Sequence, residues 1–215
     1  MTVLERLAKS IERHWYGSAT GNLYLLPLWL IFVVLSSLRR TYYRVFPAKP
    51  SNTPVIVIGN IAIGGTGKTP LIAYLALRAK VLGLNPGIVS RGYGGTCDRY
   101  PLLVDQNTDV CHSGDEPALL FHTLQCPVVV DPNRAAAVAM LSDLSHQDTD
   151  NYVDIILSDD GLQHYAMARQ AEIIVSDKTR GMGNGWCLPI GPLREPVARL
   201  KQADLHLVNG SDFII

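Results

Sequence analysis

Charge is scarce in this sequence: Asp, Glu, Lys and Arg make up 18% of the 215 residues, against about 25% in an average soluble domain. Acidic and basic residues cancel to a formal net charge of zero, so no one-signed field draws the chain to nucleic acid. Aromatic residues are sparse at 7%, and nowhere do they interleave with basic residues as a base-stacking surface requires. The cysteines are few and scattered. Cys97, Cys111, Cys126 and Cys187 form no C-x-x-C pair, which argues against zinc and against a disulfide framework, and leaves reduced thiols. Internal repeats and low-complexity tracts are missing as well. What remains is 47% hydrophobic residues, enough for one sizeable core in one domain or slightly more.

The longest stretch without charge runs from Trp15 to Leu38 and is densest in apolar residues from Leu23 to Leu35. Arg13 precedes it, and Arg39, Arg40 and Arg44 follow. A spanning helix needs ~20 mostly apolar residues. This segment reaches that length only by including the polar stretch 17–22, and Pro27 is expected to kink it. A secretory signal is disfavoured, because no small-residue cleavage site follows. A buried soluble helix and a membrane-seated helix, spanning or half-inserted, both remain open. The second is preferred: Trp29, Tyr42 and Tyr43 suit the headgroup zone, and the arginines suit an anionic cytoplasmic surface.

Residues 46–53 read as a linker by their proline and polar content. Beyond them, short apolar runs alternate with helical patterns. Strands are expected at residues 54–59, 87–90, 127–131, 153–160, 172–177 and 205–210. Helices are expected at 69–82, where Leu71, Ile72, Leu75, Ala76 and Ala79 recur at helical spacing, at 118–124 and at 133–144. Apolar strands separated by helices imply an α/β fold with a mainly parallel sheet covered on both faces.

The first strand runs into Gly59-Asn-Ile-Ala-Ile-Gly-Gly-Thr-Gly-Lys-Thr-Pro70, close to G-x-x-x-x-G-K-[ST]. Ala62 stands where the strict pattern has its first glycine, and Gly64 and Gly65 supply backbone freedom instead. Glycines let N–H groups converge on phosphate oxygens, and the helix that follows turns its positive end to the same anion. The expected ATP-binding residues are Ala62, Ile63, Gly64, Gly65, Thr66, Gly67, Lys68 and Thr69. Lys68 would reach the β- and γ-phosphates, and Thr69 would offer its hydroxyl to Mg²⁺. A dinucleotide fold needs no Lys-Thr pair here and ranks lower.

A second element is an apolar strand ending in Asp159-Asp160, the pattern of a carboxylate placed beside a phosphate loop to hold Mg²⁺. If the strand continues, the two aspartates point to opposite faces. His164 follows, with catalytic and packing roles both open. Asp115 and Glu116 open a helical run, where helix capping and catalysis are equally served by the spacing. Arg91, Arg134 and Arg194 lie in glycine- or proline-bearing loops that an open parallel sheet uses to build its binding crevice. Any of them could serve as a cation near a transferred phosphate.

Together these segments resemble the tetraacyldisaccharide 4'-kinases, the lipid A 4'-kinases. The resemblance is carried by Gly59-Asn60 with Gly64 to Pro70, Ser90-Arg-Gly-Tyr-Gly-Gly95, Gly114-Asp-Glu-Pro117, Asp159-Asp-Gly-Leu-Gln-His164, Arg180-Gly-Met-Gly-Asn-Gly185 and Leu188 to Pro196. It implies transfer of phosphate from ATP, with Mg²⁺, to the 4'-hydroxyl of an acylated glucosamine disaccharide, the lipid A precursor. The reaction belongs at the cytoplasmic face of a bacterial inner membrane, and no nucleic acid or obligate protein partner is expected. Asp115 maps to the family's catalytic base, with Lys68 beside it in catalysis. Thr69, Glu116, Asp159 and Asp160 map around the metal, and Arg91, Tyr93, Arg134, His164 and Arg194 are expected at the substrate. The division implied is a membrane-associated helical segment over residues 1–45 and a P-loop kinase lobe over 46–215. The family carries a further carboxyl-terminal lobe, with a histidine paired to the catalytic aspartate, and none of the six histidines here matches it. A membrane-attached P-loop ATPase or switch, or a remnant that only binds nucleotide, is the alternative.

Overall fold

The structure is a computed structural model, which describes residues 11–17, 23–147 and 152–210. Parts of the expected membrane segment (1–10 and 18–22) and the last five residues of the expected kinase lobe lie outside the described residues. A 3-10 turn at Leu23–Leu25 leads into α1 (Leu26–Val45). Then come β1 (Val55–Gly59), α2 (Lys68–Val81), β2 (Pro86–Ser90), β3 (Leu102–Leu103), α3 (Val110–Ser113), α4 (Asp115–Leu124) and β4 (Val128–Val130). They are followed by α5 (Arg134–Gln147), β5 (Ile155–Asp159), β6 (Ala171–Asp177), a 3-10 helix at Val197–Gln202 and β7 (Leu205–Asn209).

The seven strands are ordered β3-β4-β2-β5-β1-β6-β7. β1 and β2 each run parallel to β5, β4 runs parallel to β2, and the two-residue β3 is antiparallel to its neighbour β4. All six expected strands form within two residues of their expected ends. β3 was not expected, because two residues carry no readable period.

The chain divides into two compact units. The larger comprises Pro47–Gly59 and Gly67–Ile173. Its strands read as apolar runs because helices screen both faces of a parallel sheet. Val55, Val57, Ile58, Ile88, Val89, Val128, Val129, Val130 and Ile156 have no exposed surface. α2 buries Ile72, Ala76 and Ala79, the spacing of one helical face. α5 does the same with Arg134, Ala137, Val138 and Leu141, an arginine taking the first place in an otherwise apolar stripe.

The smaller unit comprises Met1–Phe46, Asn60–Thr66 and Ile174–Ile215. Pro27 does not kink α1, as the sequence led us to expect. It sits at the start of the helix, where a missing N–H costs no hydrogen bond and the fixed φ suits the first turn. α1 therefore runs 20 residues, through Arg39, Arg40 and Arg44. Trp29, Phe32 and Val33 pack on Ala62, Cys187 and Leu193, and Trp29 meets the Trp186 ring edge-on at 5.0 Å between centroids. Among the described residues, no helix is long and apolar enough to cross a membrane. The four cysteines are free thiols.

Candidate active site

In the larger unit, α2 begins at Lys68, directly after Gly67 in the left-handed region at φ +82°. A left-handed residue at that point turns the loop sharply into the helix, and only glycine does so without strain. Lys68 and Thr69 thus occupy the first turn, at the end of α2 where backbone N–H groups are unpaired. Lys68 Nζ lies 3.6 Å from Asp160 Oδ1, an ion pair beyond hydrogen-bond range. Thr69 Oγ1 donates to Glu116 Oε1 at 3.4 Å. The helix start, the acidic strand end and the start of α4 are thereby brought together.

The two aspartates do not alternate across a continuing strand. β5 stops at Asp159, and Asp160 turns into the left-handed region at φ +48°, which aspartate tolerates better than most residues. Asp159 is 5% exposed, and its Oδ1 has no hydrogen-bond partner. Burial first, then the negative charges of Glu116 and Asp160, push its carboxyl up to about 6, against the opposing pull of Lys68 and Arg134. A site that raises a carboxylate in this way is set to receive a cation.

Arg134 supports the same strand end from behind. It is 2% exposed, and its Nη1 and Nη2 donate to the carbonyls of Asp131 and Asp159 at 2.8 and 3.0 Å. Burial lowers its pKa to about 10, so it remains charged at neutral pH. The sequence placed Arg134 among substrate-binding cations. In the structure its donors are directed at the protein's own backbone, where they join the ends of β4 and β5.

Asp115 and Glu116 occupy the first turn of α4, but the capping residue is Gly114, and no side-chain cap bond forms. Among the described residues, the exposed Asp115 carboxylate makes no hydrogen bond or ion pair. Its place is set by a second motif. A Cβ on Gly114 would lie 2.6 Å from the Tyr93 carbonyl oxygen, and one on Gly92 would meet the Ser113 carbonyl oxygen at 2.8 Å. Thr96 N–H donates to the Cys111 carbonyl at 2.8 Å. The loop 90–95 and the segment 112–115 therefore lie backbone against backbone, and glycine is the residue that permits it. Arg91 and Tyr93 project from that loop, Tyr93 at 86% exposure. His164 is half-buried in the turn after Asp160, where its N–H donates to the Gly161 carbonyl at 3.0 Å and its own carbonyl accepts from Arg169.

The remaining predicted residues belong to the smaller unit. Ala62 is buried and bridges Leu193. Ile63 N–H donates to the Pro192 carbonyl at 2.9 Å, and Arg194 N–H donates to the Ile61 carbonyl at 2.6 Å. Arg194 therefore reaches the glycine loop through its backbone. Gly64 has φ +119°, and Gly65 is exposed. Thr66 is 5% exposed and its Oγ1 lacks a partner, while its carbonyl accepts from Asn209 Nδ2 at 3.2 Å. The sequence had not singled out Asn60 as a site residue. It is fully buried, and its Nδ2 donates to the Gly64 carbonyl at 3.1 Å, closing the loop on itself.

No three His, Cys, Asp or Glu side chains converge on a common cation site among the described residues. Mg²⁺ needs no such cage, since it is usually held by one or two carboxylates with water and phosphate oxygens completing its shell. The unpartnered Asp159 Oδ1 and the Thr69 hydroxyl are hard oxygen donors of the kind it takes.

The raised pKa has a measurable consequence. The folded state binds the Asp159 proton more tightly than the unfolded chain does, so stability contributed at this residue declines as pH rises from about 4 to about 6. The shift from 3.8 to about 6 corresponds to about 3 kcal/mol as an upper bound. In chelator, Asp159→Asn is expected to exceed wild type in stability at pH 7 and to match it near pH 4. Urea unfolding at both pH values measures the difference.

A buried parallel strand, a left-handed glycine turn into a Lys-Thr helix start and an acidic strand end paired to that lysine define a P-loop protein. Comparison with known proteins narrows this class. The chain belongs to the tetraacyldisaccharide-1-P 4'-kinase family, whose model matches residues 21–213. It is 45% identical over 207 residues to the tetraacyldisaccharide 4'-kinase of Hahella chejuensis, covering 93% of this chain and 60% of that relative. Against the kinase of Pseudoalteromonas translucida the figures are 46% over 205 residues, with 94% and 61% covered. A crystal structure of LpxK from Aquifex aeolicus in complex with ATP matches with a TM-score of 0.74 at 27% identity, over 89% of this chain and 61% of that one. The chain thus spans about 60% of the length of the curated relatives it matches.

Proposed function

We propose that this chain is the nucleotide-binding part of a kinase that moves the γ-phosphoryl group of ATP to the 4'-hydroxyl of an acylated glucosamine disaccharide, the lipid A precursor. The observation that carries the reading is the grouping of Lys68, Thr69, Glu116, Asp159 and Asp160 at one helix start, in a chain of this family.

Phosphoryl transfer asks the protein for position and charge more than for covalent chemistry. The loop from Gly64 to Gly67 offers backbone N–H groups to the phosphates, with Ala62 and Ile63 leading into it. Lys68 exchanges Asp160 for phosphate oxygens and neutralises charge that grows in the transition state. Thr69 and Asp159, with Asp160 and Glu116 beside them, would hold Mg²⁺, which when bound would supply charge neutralisation to the phosphates. Asp115 accepts a hydrogen bond from the attacking sugar hydroxyl and takes its proton. Arg91, Tyr93, His164 and Arg194 contact the acceptor or the transferred group. Arg134 holds the acidic strand end in register.

Residues 1–45 act as the membrane-associated segment. α1 is apolar on two sides: while Trp29, Phe32 and Val33 face inward, Leu28, Ile31, Leu35 and Leu38 are each at least 55% exposed. Exposed apolar surface beside Arg39 and Arg44 suits a helix lying in the interface of an anionic leaflet. This seats the kinase lobe on the cytoplasmic face of the inner membrane, where both ATP and a lipid acceptor are within reach.

The test is transfer from radiolabelled ATP to the acylated disaccharide in detergent micelles with Mg²⁺. Label is expected in the lipid product and absent from it when the acceptor is omitted. Hydrolysis of ATP at one rate with or without acceptor, and no labelled lipid, would count against the kinase and for a P-loop ATPase.

A further inference from the structure

A kinase needs a cation at the transferred phosphoryl group, and Arg134, one of the arginines the sequence offered, is directed at backbone carbonyls instead. The smaller unit holds another arginine, Arg180, beside the glycine loop. Resting on the nucleotide-binding reading above, we infer that Arg180 is a phosphate-contacting residue of the glycine loop, placed to grip the terminal phosphoryl group of ATP.

Four observations support this assignment. A Cβ on Gly64 would lie 2.7 Å from Arg180 Nη1, so the guanidinium lies flush against the loop at the glycine whose φ of +119° turns it. The guanidinium carbon stands 6.0 Å from the centroid of the Tyr16 ring, and Tyr16 Oη donates to the Ile63 carbonyl at 3.2 Å. The aromatic platform beneath Arg180 is therefore tied to the loop as well. Arg180 N–H donates to Asp177 Oδ1 at 2.8 Å, which anchors the backbone at the end of β6. Finally, the guanidinium itself makes no hydrogen bond or ion pair among the described residues. Its side chain is exposed, and Thr66 in the same loop carries a buried hydroxyl without a partner. An arginine held over a ring, with no carboxylate partner among the described residues, keeps its planar fork of donors for an oxyanion.

The packing also explains a sequence feature. Gly64 and Arg180 lie in two of the motifs that carry the family resemblance, 116 residues apart (180 − 64). A glycine at 64 suits the loop's φ of +119° and leaves room for the guanidinium beside it.

The experiment is calorimetric titration of the full chain with ATP and with ADP in Mg²⁺, for wild type, Arg180→Gln, Arg180→Ala and Lys68→Ala. Arg180→Gln removes the charge while keeping a shorter, polar side chain beside Tyr16, and thermal unfolding checks that each variant is folded. Loss of charge-assisted hydrogen bonds predicts ATP affinity lower by about tenfold or more in Arg180→Gln, with a smaller loss for ADP and an unchanged unfolding midpoint. ATP affinity equal to wild type overturns the inference. So does an equal fractional loss for ATP and ADP with a lowered midpoint, which marks a brace for the loop. Wild type that binds no ATP overturns the nucleotide reading itself. Wild type that binds, with loss in Lys68→Ala but none in Arg180→Gln, overturns the role of Arg180 alone.

Discussion

Replacing Lys68 with alanine is expected to lower phosphoryl transfer by about a hundredfold to a thousandfold, the range found when a single preorganised charge-stabilising donor is removed from a reacting group. The structure gives a reason for the upper part of that range. Lys68 is the cation that pairs with Asp160, and its charge also opposes the upward push on Asp159. Removing it leaves Glu116, Asp159 and Asp160 facing an incoming triphosphate with less compensation. Both binding and chemistry suffer, so KM for ATP is expected to rise as kcat falls. Lys68→Arg keeps the charge but changes a compact ammonium into a planar fork, and it should restore binding more fully than kcat. Initial rates at varied ATP, with saturating lipid acceptor, separate the two effects.

Asp115→Asn is expected to cost kcat about a hundredfold to ten-thousandfold, the usual worth of a general base, with ATP affinity unchanged. Asp115 is exposed, and its carboxylate makes no hydrogen bond or ion pair among the described residues, so no structural contact is broken by the change. The isosteric amide keeps size and hydrogen-bonding capacity but cannot take the proton. A switch or ATPase that does not deliver phosphate to a sugar hydroxyl has no use for this carboxylate. In such a protein Asp115→Asn would hydrolyse ATP at the wild-type rate. Single-turnover transfer, measured beside calorimetric ATP binding, decides between the two.

The glycine loop, its Lys-Thr tail and the acidic strand end were legible in the sequence because their chemistry requires residues that are contiguous. A strand, a turn and a helix start follow one another along the chain, and the pattern records all three. Features made by contacts across long separations left weaker traces. An arginine after a strand reads alike whether it points outward or, as Arg134 does, inward to the carbonyls of Asp131 and Asp159. Asn60 and Arg180 stood inside recognised motifs, but nothing local showed that one closes the loop and the other lies on it. Pro27 was read as a kink because its place in the helix depends on where the helix begins, and helix ends are weakly specified by composition. Asp159 and Asp160 were to alternate across the sheet only if the strand continued, and where it stops was not legible: it ends between them.

The backbone contact between Gly92 and Gly114 makes one mechanical part out of two segments of sequence. The aspartate that would receive the proton is carried on a peptide whose resting place is a glycine loop some twenty residues earlier. Bulk added at Gly92, or a residue inserted between Gly92 and Gly95, would move that carboxylate without altering it. A panel of substitutions in this loop is therefore a fine adjustment of the distance between base and hydroxyl, and an engineer seeking a different acceptor alcohol would begin there.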